Sequence, residues 1–278
     1  MLKRNKMAAG FSFLLVASLA LFLTGSSQQK KDYKIKLSNL TAVNFQDNFW
    51  QKRIETDIKV TIPHDFKQEE ATGRIKNFEI ASPQGSGNFC SNYPFDDSDV
   101  YKTIEAASYA LRLRPDPELE KYLDGLIAKI AAAQEKDGYL YTARSIKNKG
   151  GKIPLEEWVA SQRWENEEEA HELYNLGHLF EAAVAHYQAT GKKNLLRIAL
   201  KSADLVLKDF GPGKVMLPPG HREIEIGLVK LYRLTGEKKY LEQAKFFLDQ
   251  RGNSQGHKLY GFYSQDHLPV TKQTEAVG

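Results

Sequence analysis

The sequence predicts an all-α protein built from helical hairpins stacked side by side. The segment Ala189-Thr190-Gly191-Lys192-Lys193, followed by Leu195-Leu196, recurs about 45 residues later as Leu234-Thr235-Gly236-Glu237-Lys238, followed by Tyr240-Leu241. Glu120-Lys121-Tyr122-Leu123 opens a helix with the same pattern. A helix, a Thr-Gly turn and a second helix, repeated at one period, make an array of hairpins. Within one such helix Leu119, Leu123, Leu126, Ile127, Ile130 and Ala131 keep a 3.6-residue period, which gives a single buried stripe. The long irregular connections at 136–166 and 210–219 favour a closed toroid over an open solenoid, whose turns are short and uniform.

The elements follow in chain order. Lys3, Arg4 and Lys6 precede an apolar run from Met7 to Leu23, and Thr24-Gly25-Ser26-Ser27 then supplies small residues. Residues 1–27 therefore read as a signal peptide, and export to the periplasm or beyond the cell is expected. An uncleaved anchor is the alternative, because the run is at the lower length limit of a membrane span. After cleavage no stable membrane insertion is expected. Residues 28–44 read as an extended arm or linker, on the imperfect alternation of KIKLSNLTAVNF. Residues 45–278 form the domain. Phe49, Trp50, Arg53, Ile54 and Ile58 recur at helical spacing, and Pro63 is expected to end that segment. Residues 64–97, with Gly73, Pro83, Gly85, Gly87 and Pro94, read as a long loop of the kind that carries function. Helices are expected at 98–113, 117–135, 167–190, 193–209, 220–235 and 237–250, the first capped by Asp96, Asp97 or Ser98.

Composition narrows the function classes. A chain that is 41% hydrophobic and 11% aromatic has enough apolar surface for a core. Of its 39 Lys and Arg residues three lie in the leader, so the rest is nearly balanced against 35 acids and carries no nucleic-acid footprint. Cys90 is the only cysteine, so this chain alone makes neither an intrachain disulfide nor a multi-thiolate metal site.

Three of the seven histidines stand at or beside element ends in polar aromatic settings: His171 in HELYN, His221 in PPGHREIE and His267 in YSQDHLP. Imidazole there hydrogen-bonds sugar hydroxyls as donor or acceptor near neutral pH, and the competing reading is a satisfied structural histidine. HELYN is not a zinc-protease helix, because Asn175 stands where the second His is needed, and His178 is about 10 Å along the helix from His171, too far for a shared ion. No metal is assigned. Glu167-Glu168-Glu169 reads as a solvated helix start. Asp96, Asp97 and Asp99, flanked by Phe95 and Tyr101, either cap a helix or bind hydroxyls from its mouth. Only one of Glu223 and Glu225 can share a helix face with His221. Cys90 lacks a neighbouring base and reads as structural. Phe95, Tyr101, Tyr139, Tyr141, Trp158, Trp164, Tyr174, Tyr260, Phe262 and Tyr263 suit stacking on sugar faces or a core.

The ordered motifs NFQDNFWQKR, TGRIKNF, FDDSDVYKTIEAASYAL, DGYLYT, HELYNLGHLFEAAVAHYQATGK, PPGHREIEIGLVKLYRLTG and YSQDHLPV with QTEAVG resemble, from about Phe45 to Gly278, the N-terminal half of the catalytic domain of glycoside hydrolase family 127. That resemblance implies an (α/α)6 toroid of six hairpins, of which the first half to two thirds is present. It implies activity on non-reducing-end β-L-arabinofuranosyl or related sugars, with a plant or other polysaccharide or oligosaccharide as partner. It places His171, His221 and His267 on the sugar pocket with the Asp96-Asp97 loop nearby. Arg222, Thr103 and Cys90 depart from the family pattern at positions expected to hold Gln, an aromatic and Gly. The family's zinc-held cysteine nucleophile and its glutamate acid/base belong to the second half of the domain, so the resemblance implies no catalytic residue and no cofactor in these 278 residues, with zinc expected only in a full-length relative. The chain alone is then expected to be inactive, and to dimerise or aggregate through uncovered apolar faces. The alternatives from other classes are a non-catalytic carbohydrate-binding remnant and a helical-repeat interaction module.

Overall fold

The computed structural model describes residues 42–43 and 45–274; the expected signal peptide and nearly all of the expected arm lie outside the described residues. Ala42 and Val43 belong to a separate N-terminal unit, and everything below concerns the unit from Asn44 onward. The described residues contain no strand, and no helix among them is long and apolar enough to cross a membrane.

Helix α1 (Trp50–Thr56) runs through a π-helical turn (Asp57–Thr61) into α2 (Ile62–Ala71). The expected stop at Pro63 does not occur. Proline sits at the second residue of α2 inside one continuous helical run, and the widened π turn just before it makes room for the ring. The expected loop at 64–97 is likewise corrected: it contains most of α2 and all of α3 (Arg74–Ala81), joined at Gly73. Gly73 has φ 80°, and a Cβ there would lie 2.3 Å from the Cβ of Cys90, so the tight corner needs glycine. The sequence hid these helices because their apolar periodicity is weak and their breakers fall at the joints.

Three hairpins follow: α4 (Asp97–Leu113) with α5 (Pro117–Ala133), α7 (Glu172–Thr190) with α8 (Asn194–Asp209), and α9 (Ile224–Thr235) with α10 (Lys238–Gln250). A short α6 (Thr142–Asn148) lies inside the connection expected to be irregular. Asp116 caps α5 by accepting from the backbone N–H groups of Glu118 and Leu119, with Pro117 opening the helix. Gly191 and Gly236 end α7 and α9 in the left-handed conformation, which is the physical content of the repeated Thr-Gly signal.

Helices α4, α7 and α9 pack side by side as one layer, with α5, α8 and α10 behind them. This two-layer hairpin array is the (α/α)6 toroid architecture, in part. The core is continuous through both layers, from Phe78, Tyr101 and Ile104 through Leu123, Ile127 and Phe180 to Leu228 and Phe247. At fully buried positions each such side chain contributes about 1.5–3 kcal/mol relative to exposure. Helices α7 and α9 approach each other at backbone distance. A Cβ on Gly177 would lie 2.6 Å from the backbone of Glu223 and Ile224, and one on Gly227 would lie 2.7 Å from the carbonyl oxygen of Gly177. Two glycines thus set how near the start of α9 comes to α7.

Candidate functional site

The site is assembled from the segment before α4, the start of α7, the loop before α9 and the segment after α10. Helix α7 begins at Glu172 rather than at 167, because His171 is left-handed (φ 61°) and turns the chain away from helical geometry. Leu155 and Trp164 in the preceding loop also have positive φ, a concentration of strain that the surroundings must hold in place. They do so through two buried carboxyls. Glu167 is fully buried and its Oε2 accepts from the N–H of Leu173, so its expected place on a solvated helix start is corrected: it is a buried cap. Glu172 accepts from the Tyr139 hydroxyl and from the N–H of Trp164 (3.0 Å). Burial pushes the carboxyl of Glu172 up to about 7, and that of Glu167 upward as well.

On this support the His171 ring stacks on Phe95 (centroids 4.7 Å apart) and meets His221 edge to face at 4.9 Å. Tyr174 touches both histidines, at 5.7 and 5.6 Å, and Tyr263 reaches His221 at 5.5 Å. Phe95 also stacks between Tyr93 and Trp158. Burial and the neighbouring His221 hold His171 down at about 4; burial and the Arg251 guanidinium lower His221. Both rings are therefore neutral at pH 7, each with one donor and one acceptor nitrogen. The Nδ1 of His171 is buried without a hydrogen-bond partner.

The other expected residues have different places. His267 lies against Phe262 (4.9 Å) with its Nδ1 unpartnered; among the described residues it makes no ring contact with His171 or His221. Asp96 accepts from the N–H groups of Asn92 and Tyr93, forming the turn that presents Phe95. Asp97, 1% exposed, spends both oxygens on Thr142, taking its N–H (2.8 Å) and its hydroxyl (2.5 Å). These two carboxylates act on the site through the backbone they fix.

The segment carrying Tyr263 and His267 is clamped by two arginines. Arg222 binds the side chains of Gln265 and Gln273 and the carbonyl of Gln265, and buried Arg251 donates to the carbonyls of Ser264 (2.8 Å) and Pro219 (2.9 Å). His257 and Asp266 pair at 2.9 Å inside it.

A second group, missed in the sequence, adjoins the first through Tyr174, whose ring is 4.6 Å from His178. His178 Nδ1 lies 3.2 Å from Glu223 Oε1, and Glu181 joins them. Burial, then the bond to Glu181, pushes Glu223 up to about 9, so it stays protonated. Burial would raise Glu181, but the bonds from Glu223 and from Lys230 outweigh it and keep that carboxylate ionised. Spacings of three and of 42 residues between its successive members gave no pattern to read. His178, Glu181 and Glu223 are the only grouping among the described residues with cation-holding geometry, and it contains no thiol. Cys90 stands apart against Gly73, so these residues do not fit a thiolate-held zinc.

Comparison with known proteins shows the family of the chain. The family model described as β-L-arabinofuranosidase, GH127 catalytic domain, matches residues 42–278. A non-reducing end β-L-arabinofuranosidase of Bifidobacterium longum subsp. longum is 39% identical over 202 residues, covering 70% of this chain and 30% of that protein. A solved GH127 β-arabinofuranosidase superposes with TM-score 0.78 at 49% identity, over 85% of this chain and 37% of the other. A GH127 β-L-arabinofuranosidase from Geobacillus stearothermophilus T6 superposes with TM-score 0.74 at 36% identity, over 85% and 39%. The chain thus spans between 30% and 39% of the length of these relatives.

Proposed function

The chain belongs to the GH127 family of β-L-arabinofuranosidase catalytic domains, and on that footing we propose that it forms the sugar-holding wall of a glycoside hydrolase acting on non-reducing-end β-L-arabinofuranosyl groups. The observation that carries this reading is the neutral His171–His221 pair set among aromatic rings. A furanose presents an apolar face and a rim of hydroxyls. The exposed Tyr263 ring beside His221 takes the face, and imidazoles that stay neutral at pH 7 give and accept hydrogen bonds at the rim without the desolvation cost of a charge. His267 is assigned to the outer edge of the same pocket, and Asp96 and Asp97 to its support. No catalytic residue and no cofactor is assigned among the residues described.

The polysaccharide or oligosaccharide source of the sugar and export through residues 1–27 are parts of the same proposal. Export is supported by the basic residues, apolar run and small residues of the leader. The test is calorimetric titration of the 278-residue chain with methyl β-L-arabinofuranoside, and then of His171→Ala and His221→Ala. Millimolar binding that is lost in both variants is expected. Binding that survives both unchanged would move the pocket elsewhere.

A further inference from the structure

A cavity of about 350 Å³ lies between α2 and the first turns of α4. Its volume is in the range of small-molecule sites. Three carboxyl groups line it, from Asp65, Glu69 and Asp99, together with Gln68, Arg74 and Lys102. Arg74 pairs with Asp99 at 2.8 Å and Lys102 with Asp99 at 3.5 Å, so the lining is close to charge-neutral and dense in hydrogen-bonding groups. That balance disfavours an ionic ligand and suits a polyhydroxylated one.

Glu69 is the second, independent observation. It is only 5% exposed, its Oε1 accepts from the Thr103 hydroxyl at 2.5 Å, and its Oε2 is buried without a hydrogen-bond partner. Such an oxygen costs free energy unless something supplies a donor. Burial, offset in part by Thr103, pushes this carboxyl up to about 7, so near neutral pH it serves a hydroxyl as acceptor or as donor.

The cavity and the histidine pocket share a wall. Lys102 lines the cavity, and its Nζ stands 5.1 Å from the centre of the Tyr174 ring, the ring that also touches His171 and His221. Arg74 lines it too and lies 3.6 Å from Asp96, the turn residue next to Phe95.

We propose that this cavity is a second sugar subsite, which binds the hydroxyls of the residue to which the terminal arabinofuranosyl group is linked. The inference rests on the reading of His171 and His221 as the first subsite. Glu69, Asp65 and Gln68 then determine which neighbouring sugar is accepted, with Lys102 spanning the two subsites.

The test compares two probes by calorimetry on the full chain: methyl β-L-arabinofuranoside, and the sulfur-linked, hydrolysis-resistant analogue of a β-L-arabinofuranosyl disaccharide. The disaccharide analogue is expected to bind about tenfold more tightly than the monosaccharide. Glu69→Gln, and separately the double substitution Asp65→Ala with Gln68→Ala on the outer turns of α2, should remove that advantage while leaving monosaccharide affinity within twofold. The double variant keeps the test valid should Glu69→Gln fail to fold. Equal affinity of the two probes in the unsubstituted chain, or an advantage that survives the double substitution, overturns the second subsite and leaves the first standing. If neither probe binds the unsubstituted chain, both assignments fall. If His171→Ala abolishes monosaccharide binding while the double variant loses only the disaccharide advantage, both hold.

Discussion

His171 and His221 meet edge to face with ring centroids 4.9 Å apart, one at the left-handed start of α7 and the other in the loop before α9. Their contact is possible because Gly177 and Gly227 let α9 approach α7 at backbone distance. The contact between the two rings is therefore set by helix packing about two turns away from it.

Gly177→Ala should act on the site without touching it. The new Cβ would press on the backbone of Glu223 and Ile224, which cannot yield as a side-chain end would. A loss of about 1–3 kcal/mol in denaturant unfolding is expected from such overpacking. Monosaccharide affinity should fall along with it, as the start of α9 shifts His221. Unchanged stability and affinity would show that the two helices have slack.

Asp97→Ala should destabilise by about 2–4 kcal/mol, since it leaves the Thr142 N–H and hydroxyl buried without acceptors. Thr142→Val, which removes only the hydroxyl, should cost less. Urea unfolding followed by circular dichroism measures both. A cost under about 0.5 kcal/mol for Asp97→Ala would mean that water replaces the carboxylate.

Stability should fall as pH rises from 7 to 9. Burial raises Glu69, Asp97, Glu172 and Glu225 to about 7 and Glu223 to about 9 in the folded chain. A carboxyl whose folded value lies above its unfolded one stabilises fully below the unfolded value, and that contribution is lost as pH rises through the folded value. His171 and His178, held at about 4, have the opposite sign, but their contribution changes only between pH 6.5 and 4. Above pH 7 the carboxyls alone set the slope. A fall in Tm of about 5 °C between pH 7 and 9 is expected, reduced in Glu223→Gln. A Tm that is flat or rises across that window would contradict the buried-acid assignment.

Arg222→Ala should release the segment that carries Tyr263. Arg222 alone binds both Gln265 and Gln273 through side chains. Limited proteolysis should then cut between residues 258 and 273 several times faster, while Tm changes by no more than a few degrees because Arg251 still holds Ser264 and Pro219. Cleavage at the unsubstituted rate would show that the arginine is dispensable.

Much of this could be read in the amino-acid order. Periodicity and the Thr-Gly repeat specified the three hairpins, because helix amphipathicity and left-handed caps are local properties. The motifs around His171 and His221 drew attention to the two rings that the fold brings together, and their neighbours Phe95, Tyr174 and Tyr263 were among the rings singled out. Helices α2 and α3 and the start of α7 were misplaced. Proline at an α2 first turn behind a π turn reads as a stop, and a left-handed His171 reads as helix.

The tertiary structure alone decided which carboxyls are chemical and which are structural. Glu167 looked solvated and is buried, Asp97 was placed at a loop mouth and is spent on Thr142, Glu69 carried no pattern and is buried against Thr103, and Glu223, weighed in the sequence as a partner of His221, lies against His178 instead. The physical reason is that a carboxyl's charge state depends on its depth and its partners. Both are fixed by how α2 meets α4 and how α7 meets α9, and neither is a local property of the chain.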